Sequence, residues 1–321
     1  MFGHEVIQRW FNYDVCDSFY CHVRAWIWQI NLEIFAWLYK HFYCRMIGTC
    51  LPAHWFGPRP PDRLRKSTGK LKVEIVSHCW QYAHLSVYQL SSLVNHPPEK
   101  IDLTYTLFYS PEDKATSKMV ETFSTMDVPN VRWQWQEMPQ AELLRRAIGR
   151  NRAAIATKAD WIWFADCDLI FHAGCLDSLA DALQPINCRM VFPAGEQVTD
   201  LLHADHPLVS LDTEFPQIVD IDRDMFRPNK IQKAKGAFQI VHGDVARKCG
   251  YCKELSFYQR PARRWQKAYE DTAFRRVISD NGQPVPVIGL YRIRHQEKGR
   301  YSQVSKISSV RQSLRLISDQ R

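Results

Sequence analysis

The chain has 321 residues and a mass of 37.7 kDa, with 45% hydrophobic and 24% charged residues, 13 Gly and 17 Pro. That composition excludes a mini-protein, a disordered chain and a collagen-like one, and it allows one large domain with appendages. Lys and Arg outnumber Asp and Glu by 42 to 34, and the excess of +8 is concentrated in residues 59–72 and 292–321, which favours partners that carry negative charge, such as nucleotide phosphates, acidic lipids or nucleic acid.

Ten scattered cysteines lack the density of a disulfide framework, so a reducing, cytoplasmic setting is expected. Glu5, Arg9, Asp14 and Asp17 interrupt any signal-peptide run. Residues 26–42 are rich in Trp, Phe and Tyr, with Trp26, Ile30, Ile34, Trp37 and Leu38 at helical spacing. Too polar to cross a bilayer, this segment reads either as a helix packed on the main domain or as a peripheral helix in a membrane interface. A Pro-rich and then basic linker follows, so residues 1–66 form a helical extension, 67–300 the main domain and 301–321 a basic amphipathic helix carrying Val304, Ile307, Val310, Leu314 and Ile317 on one face.

Strands are expected over residues 71–79, 102–110 and 131–138, with a helix over 86–94 between the first two. Alternation of strands and helices predicts an α/β domain with a mixed, mostly parallel sheet flanked by helices. A helix is expected over 139–156, with Leu144, Ile148 and Ile155 on its apolar face and Arg145, Arg146, Arg150 and Arg152 elsewhere. It leads into the apolar strand 161–165, which ends in Asp166-Cys167-Asp168.

Ligands of open α/β sheets bind at the carboxyl ends of the strands. Two carboxylates one residue apart there point the same way and suit a divalent metal that bridges nucleotide phosphates; the alternative is a pair capping a turn. Further on, Tyr269-Glu270-Asp271-Thr272 opens a helix expected over 272–279, where the acids either favour the helix dipole or supply a general base. A strand is expected over 286–293, and His295 beyond it is a candidate third metal ligand or phosphate contact. Residues 197–235 read as an acceptor-binding loop region, in which His203, Asp205 and His206 imitate a metal site but fit a solvated loop better; Lys230, Lys233 and Lys235 read as a loop-closing set or a solvated face. Cys249 and Cys252 read as core or loop residues, because no second pair completes a zinc site.

Residues 150–155 and 159–168, together with Lys235-Gly236-Ala237-Phe238, Gly250-Tyr251 and Tyr269-Glu270-Asp271-Thr272, resemble in order the motifs of family 2-type glycosyltransferases with the GT-A nucleotide-diphospho-sugar transferase fold. The resemblance covers about residues 70–300. It implies a metal-dependent, inverting transfer from a nucleotide-sugar donor, most commonly a UDP-sugar, to a glycan or glycolipid acceptor. It assigns Asp166 and Asp168 to Mn2+ or Mg2+ and the donor diphosphate, His295 to the same metal, Ser77, Asn151 and Arg152 to the donor, Asp271 to the base and Glu270 to the acceptor. Two departures stand out: the first strand ends in Ser77-His78-Cys79-Trp80 instead of a Pro-x-Tyr-Asn-like turn, and Tyr269 stands where Trp is frequent. The competing readings are a haloacid-dehalogenase-type phosphatase, whose Asp-x-Asp normally lies near the start of its domain, and a non-catalytic membrane- or nucleic-acid-binding protein. The sequence carries no helix-turn-helix, zinc-finger or RNA-binding motif, so nucleic acid is not expected as a partner.

Overall fold

A computed structural model describes residues 57–203, 205–211, 216–262 and 269–296. The aromatic segment 26–42 and the amphipathic segment 301–321 lie outside them. The first strand, β1 (Leu71–Cys79), is buried along its whole length except at Lys72, as a strand covered on both faces must be. Its parallel neighbours are β2 (Ile101–Tyr109), in register from Leu71↔Ile101 to Cys79↔Tyr109, and β4 (Trp161–Phe164), from Val73↔Trp161 to Val76↔Phe164. Strand β3 (Val131–Glu137) continues the sheet parallel to β2.

On the other side β9 (Gln239–His242) lies antiparallel between β4 and β6 (Met190–Pro193), and β10 (Gln283–Val285) closes the edge parallel to β6. The order is therefore β10-β6-β9-β4-β1-β2-β3, seven strands with β9 alone reversed. This is a mixed, mainly parallel α/β sheet with helices, as expected from the sequence. The chain progresses outward from β1 to β2 and β3 and then crosses back to β4, so the order reverses between β1 and β4. The carboxyl ends of those two strands bound the crevice in which such sheets bind ligands.

A second sheet of four strands, ordered β5-β11-β7-β8, sits beyond that end: β5 (Leu169–Phe171), β11 (Leu290–Arg292), β7 (Gly195–Thr199) and β8 (Phe226–Lys230). Sequence pattern reads 197–235 as loop, yet β8 (Phe-Arg-Pro-Asn-Lys) pairs antiparallel with β7. Four of its five residues are exposed and it carries Pro228, so it shows none of the alternation that marks a half-buried strand. The strand expected over 286–293 is reduced to β11, with β10 ending before it.

Helix α1 (Ala83–Asn95) is buried over ten of its thirteen positions, including Ser86, Gln89, Ser91 and Ser92. Gln89, Ser91 and Ser92 join α1 to the second sheet and the segments that lead into it. Phe171 N–H donates to Ser92 Oγ (3.0 Å), Val219 N–H to Ser91 Oγ (3.1 Å), and the Gln89 amide donates to the carbonyls of Asp166 and Leu169, both at 2.9 Å. The Tyr105 hydroxyl donates to Gln89 Oε1 (2.6 Å) and fixes that amide. The turn carrying Asp166-Cys167-Asp168 is thereby held from beneath. Helix α2 (Lys114–Ser124) is capped by Asp113, which accepts from Thr116 N–H (3.3 Å).

The helix expected over 139–156 is two helices, α3 (Gln140–Leu143) and α4 (Arg146–Ala156), broken where Arg145 leaves helical geometry at φ −111°, ψ 81°. Its polarity also differs from expectation. Ile155 is 45% exposed while Arg150 is completely buried and Arg145 nearly so. For Arg150 the reason lies in the crevice, where a carboxylate draws it inward, while the Arg145 guanidinium lies over the Phe257 ring at 4.9 Å. Gly149 in α4 passes over the His78 ring, which a Cβ would strike. Helix α5 (Cys175–Leu183) follows β5.

Glu74, in the middle of β1, is 6% exposed and accepts a hydrogen bond from the Thr106 hydroxyl (2.7 Å). Burial raises its pKa above the ordinary 4.5, with hydrogen bonds from Thr157 and Thr106 offsetting only part of the effect. The folded state thus binds this proton more tightly than the unfolded chain, and stability is lost as pH rises from 4.5 through the raised value. Glu74→Gln is expected to remove that fall, so urea denaturation at pH 4.5 and pH 7 should show a smaller loss in the variant than in the wild type.

Candidate active site

The crevice is built around Asp166. Strand β4 is apolar and fully buried, and past its end burial alternates: Asp166 partly exposed, Cys167 buried, Asp168 partly exposed. The two carboxylates therefore leave the core on one side, as period-2 geometry predicts. Between them the Cys167 thiol is pushed up by its Cys79 neighbour and by burial, which keeps it a neutral thiol.

Asp166 Oδ1 is gripped by two guanidinium groups of α4, Arg146 Nη1 and Arg150 Nη2, the latter at 3.3 Å. Arg146 and Arg150 are one helical turn apart and so share a face of α4. Arg150, with no exposed surface, also donates to the Tyr251 hydroxyl (3.0 Å), and its guanidinium carbon lies 5.3 Å from the Tyr251 ring centroid. The Tyr251 hydroxyl in turn donates to Gln239 Oε1 (2.8 Å), and the Gln239 amide donates to the Asp271 carbonyl (3.1 Å). An unbroken chain of polar contacts thus runs from Asp166 to Asp271.

A second route is shorter. Arg146 Nε lies 3.6 Å from Glu270 Oε1, so one guanidinium faces both acidic motifs. Burial alone would lower the Arg146 pKa, but Asp166 and Glu270 outweigh it and hold the group above its ordinary range. Glu270 and Asp271 open helix α7 (Glu270–Val277), which starts two residues earlier than the sequence suggests, after Tyr269 in left-handed geometry at φ 53°.

The reversed strand β9 brings the third segment in. Its first residue, Gln239, pairs with Phe164 at the end of β4, so the loop before it (235–238) enters the crevice. Trp163 Nε1 donates to the Ala237 carbonyl (2.7 Å), and Gly236 N–H donates to Asp271 Oδ2 (3.1 Å). Gly236 sits at φ +57°, in the left-handed region that glycine adopts without cost.

The other expected residues are placed less directly. Ser77 is completely buried inside β1, so its side chain offers a donor no surface in this arrangement. Asn151 is committed to the chain beyond α6 (Gly243–Cys249): its Oδ1 accepts from Tyr251 N–H (2.9 Å) and its amide donates to Gln259 (3.2 Å). Arg152 points outward and pairs with Glu142 (2.6 Å). Among the described residues Arg146 and Arg150 are cations that meet Asp166, and their i, i+4 spacing immediately before the Asp-x-Asp strand is the available signal.

His295 is buried near the same turn, because Ile293 N–H donates to the Asp168 carbonyl (3.2 Å). Its ring lies edge-on to Tyr82 with centroids 5.3 Å apart. Among the described residues Asp166, Asp168 and His295 do not converge into a three-ligand cluster; the group that does is His96, His172 and Asp220. His203 and Asp205 form an exposed pair (2.8 Å), and His206 Nδ1 accepts from Leu208 N–H, as a solvated loop would. Lys230, Lys233 and Lys235 are all exposed. Cys249 and Cys252 are buried free thiols of the core. Beside the crevice Arg292 forms a two-pronged pair with the buried Glu196 (2.8 and 2.6 Å), which fastens β11 to β7.

No protein-family model matches the chain, and no curated protein matches it. Among solved structures, S. aureus TarS 1–349 shares 12% identity over 70% of this chain at a TM-score of 0.44, and the chain spans 60% of that structure's length. The same protein in complex with UDP-GlcNAc is 11% identical over 77% of this chain and 66% of its own, also at 0.44. The mannosyltransferase PcManGT from Pyrobaculum calidifontis, in complex with GDP-Man and Mn2+, is 13% identical over 89% of this chain and 73% of its own, at 0.39. With TM-scores below 0.5, the class of the fold rests on strand order and not on these likenesses. No helix among the described residues is long and apolar enough to cross a membrane.

Tyr251→Phe keeps the aromatic ring but removes the hydroxyl between Arg150 and Gln239. It is expected to lower stability by about 1–3 kcal/mol. Arg150→Met, which removes one of the two arginines on the partly exposed Asp166 together with the donor to the Tyr251 hydroxyl, should cost more. Urea denaturation of both variants checks the order.

Proposed function

We propose that the chain is a metal-dependent, inverting glycosyltransferase of GT-A-like architecture that moves a sugar from a nucleotide-diphosphate donor, most commonly a UDP-sugar, to a hydroxyl of a glycan or glycolipid acceptor. The observation that supports this best is Arg146 standing between Asp166 and Glu270, since it joins the Asp-x-Asp turn and the acidic start of α7 in one crevice at the switch point of the sheet.

Asp166 and Asp168 offer the hard oxygen donors that Mg2+ or Mn2+ requires. A cation bound there would offset the charge on the departing diphosphate. Donor phosphates meet Arg146, the partly exposed member of the arginine pair, while the buried Arg150 fixes the orientation of Asp166. Asp271, whose carboxylate is positioned by Gly236 N–H, takes the proton of the acceptor hydroxyl as its oxygen bonds to the anomeric carbon and the bond to the diphosphate breaks. Glu270 beside it binds the acceptor. His295 lines the wall next to the Asp168 backbone. A phosphatase of the haloacid-dehalogenase type is less well supported, because Asp-x-Asp here follows the fourth strand of the domain and not its first.

Thermal shift with UDP, with and without Mn2+, is expected to show stabilisation of the wild type that requires the metal and is lost in Asp168→Ala. Asp271→Asn should still bind UDP but lose donor turnover by roughly 10²–10⁴-fold. Unchanged turnover in both variants, folded by circular dichroism, overturns the proposal. Phosphate release from a simple phosphoester would favour the phosphatase.

A further inference from the structure

Three side chains from distant parts of the sequence meet at the far end of α1. His96 follows the last residue of that helix, His172 follows the last residue of β5, and Asp220 lies in the segment before β8. One ligand atom from each lies within 4.8 Å of the others. The His96 and His172 rings are 4.1 Å apart between centroids, and His172 Nε2 is 3.7 Å from Asp220 Oδ1. Ligand atoms about 2.0–2.2 Å from a tetrahedral zinc stand about 3.3–3.5 Å from one another, so small side-chain shifts close the triangle.

We propose that His96, His172 and Asp220 bind Zn2+, with water completing the tetrahedron, in a site separate from the crevice of Asp166 and Asp168. Two imidazoles and one carboxylate suit zinc and disfavour Mg2+, which takes oxygen donors. His96 Nε2 is buried without a hydrogen-bond partner, an arrangement costly for a polar atom and relieved by a metal. The pocket is also prepared around the ligands. His172 is held by its backbone, N–H donating to the Gly289 carbonyl (2.9 Å), and its ring lies against Tyr291 (5.5 Å). The Asn95 amide donates to the Val219 carbonyl (3.2 Å) and Val219 N–H donates to Ser91, which pins the residue before Asp220 to α1.

Position separates this site from Asp166 and Asp168. Gln89 of α1 holds the Asp166 carbonyl, and His96 follows Gln89 by seven residues, roughly 10 Å of helix, while β5 carries the chain from Asp168 to His172. Zinc there would tie α1 of the main sheet to β5 and to the segment leading into β8 of the second sheet. The inference does not depend on glycosyl transfer.

The test uses the full chain, stripped of metal with a chelator and titrated with Zn2+ by calorimetry and thermal shift. Wild type is compared with His96→Gln, His172→Ala, Asp220→Asn and Asp168→Ala. The expected result is loss of one zinc equivalent, with its thermal stabilisation, in the two histidine variants, at least about tenfold weaker binding in Asp220→Asn, and retention of that same equivalent in Asp168→Ala, which can lose only a cation held at the crevice. Asp220 is on the surface, so its variant keeps the test open should a histidine variant not fold. Wild type that binds no Zn2+, or zinc stoichiometry and affinity that persist in His96→Gln and Asp220→Asn, overturns the proposal.

Discussion

The compensation of one carboxylate organises this molecule. Asp166 emerges from the four buried residues of β4 and the buried Ala165, and a charge so close to the core is costly unless another charge meets it. The partner comes from α4, and to bring it there the helix turns two arginines inward and leaves Ile155 in solvent. Burying Arg150 creates a second need, met by the Tyr251 hydroxyl and the aromatic faces of Tyr251 and Phe164. Tyr251 in turn stacks on Phe274 of α7 at 4.4 Å. The positions of α4, α6 and α7 around the crevice follow from that succession of contacts.

Topology supplies the other half. A purely parallel sheet would deliver only carboxyl ends to the crevice. Because β9 runs backwards beside β4, its amino end arrives there instead, and with it the loop 235–238 that touches Asp271. The indole of Trp163, buried in the central strand, holds that loop through the Ala237 carbonyl, so a core residue shapes the crevice wall directly.

Much of this was legible in the residues, and the reasons for the gaps are physical. The bounds of β1 are legible because Leu71–Cys79 first alternates, with Lys72 and Glu74 between Leu71, Val73 and Ile75, and then turns apolar; β4 is legible because Trp161–Phe164 is apolar at every position, although the pattern carries it one residue too far, to Ala165. The Asp-x-Asp turn and the acidic start of α7 were visible as motifs, but their meeting was not, since it depends on which neighbour β9 chooses. Arg150 was misplaced because helical periodicity treats every arginine as a surface residue, and only the location of Asp166 reveals otherwise. Strand β8 escaped because an exposed edge strand needs no apolar face. His96, His172 and Asp220 share no spacing pattern at all; their proximity is a product of three separate chain crossings.

The two outer strands of the large sheet differ in their armament. On one side β3 alternates in burial from Val131 to Trp135, with Trp133 and Trp135 stacked at 5.6 Å on the covered face and Arg132 and Gln134 in solvent, and it ends in the exposed Glu137. On the other, β10 is three residues long with Pro284 at its centre, which removes the backbone donor that a further strand would use. Charge guards one border and a missing N–H the other. The sheet therefore resists growth by strand addition from a second molecule, which protects a chain with so large a parallel core from aggregating edge to edge.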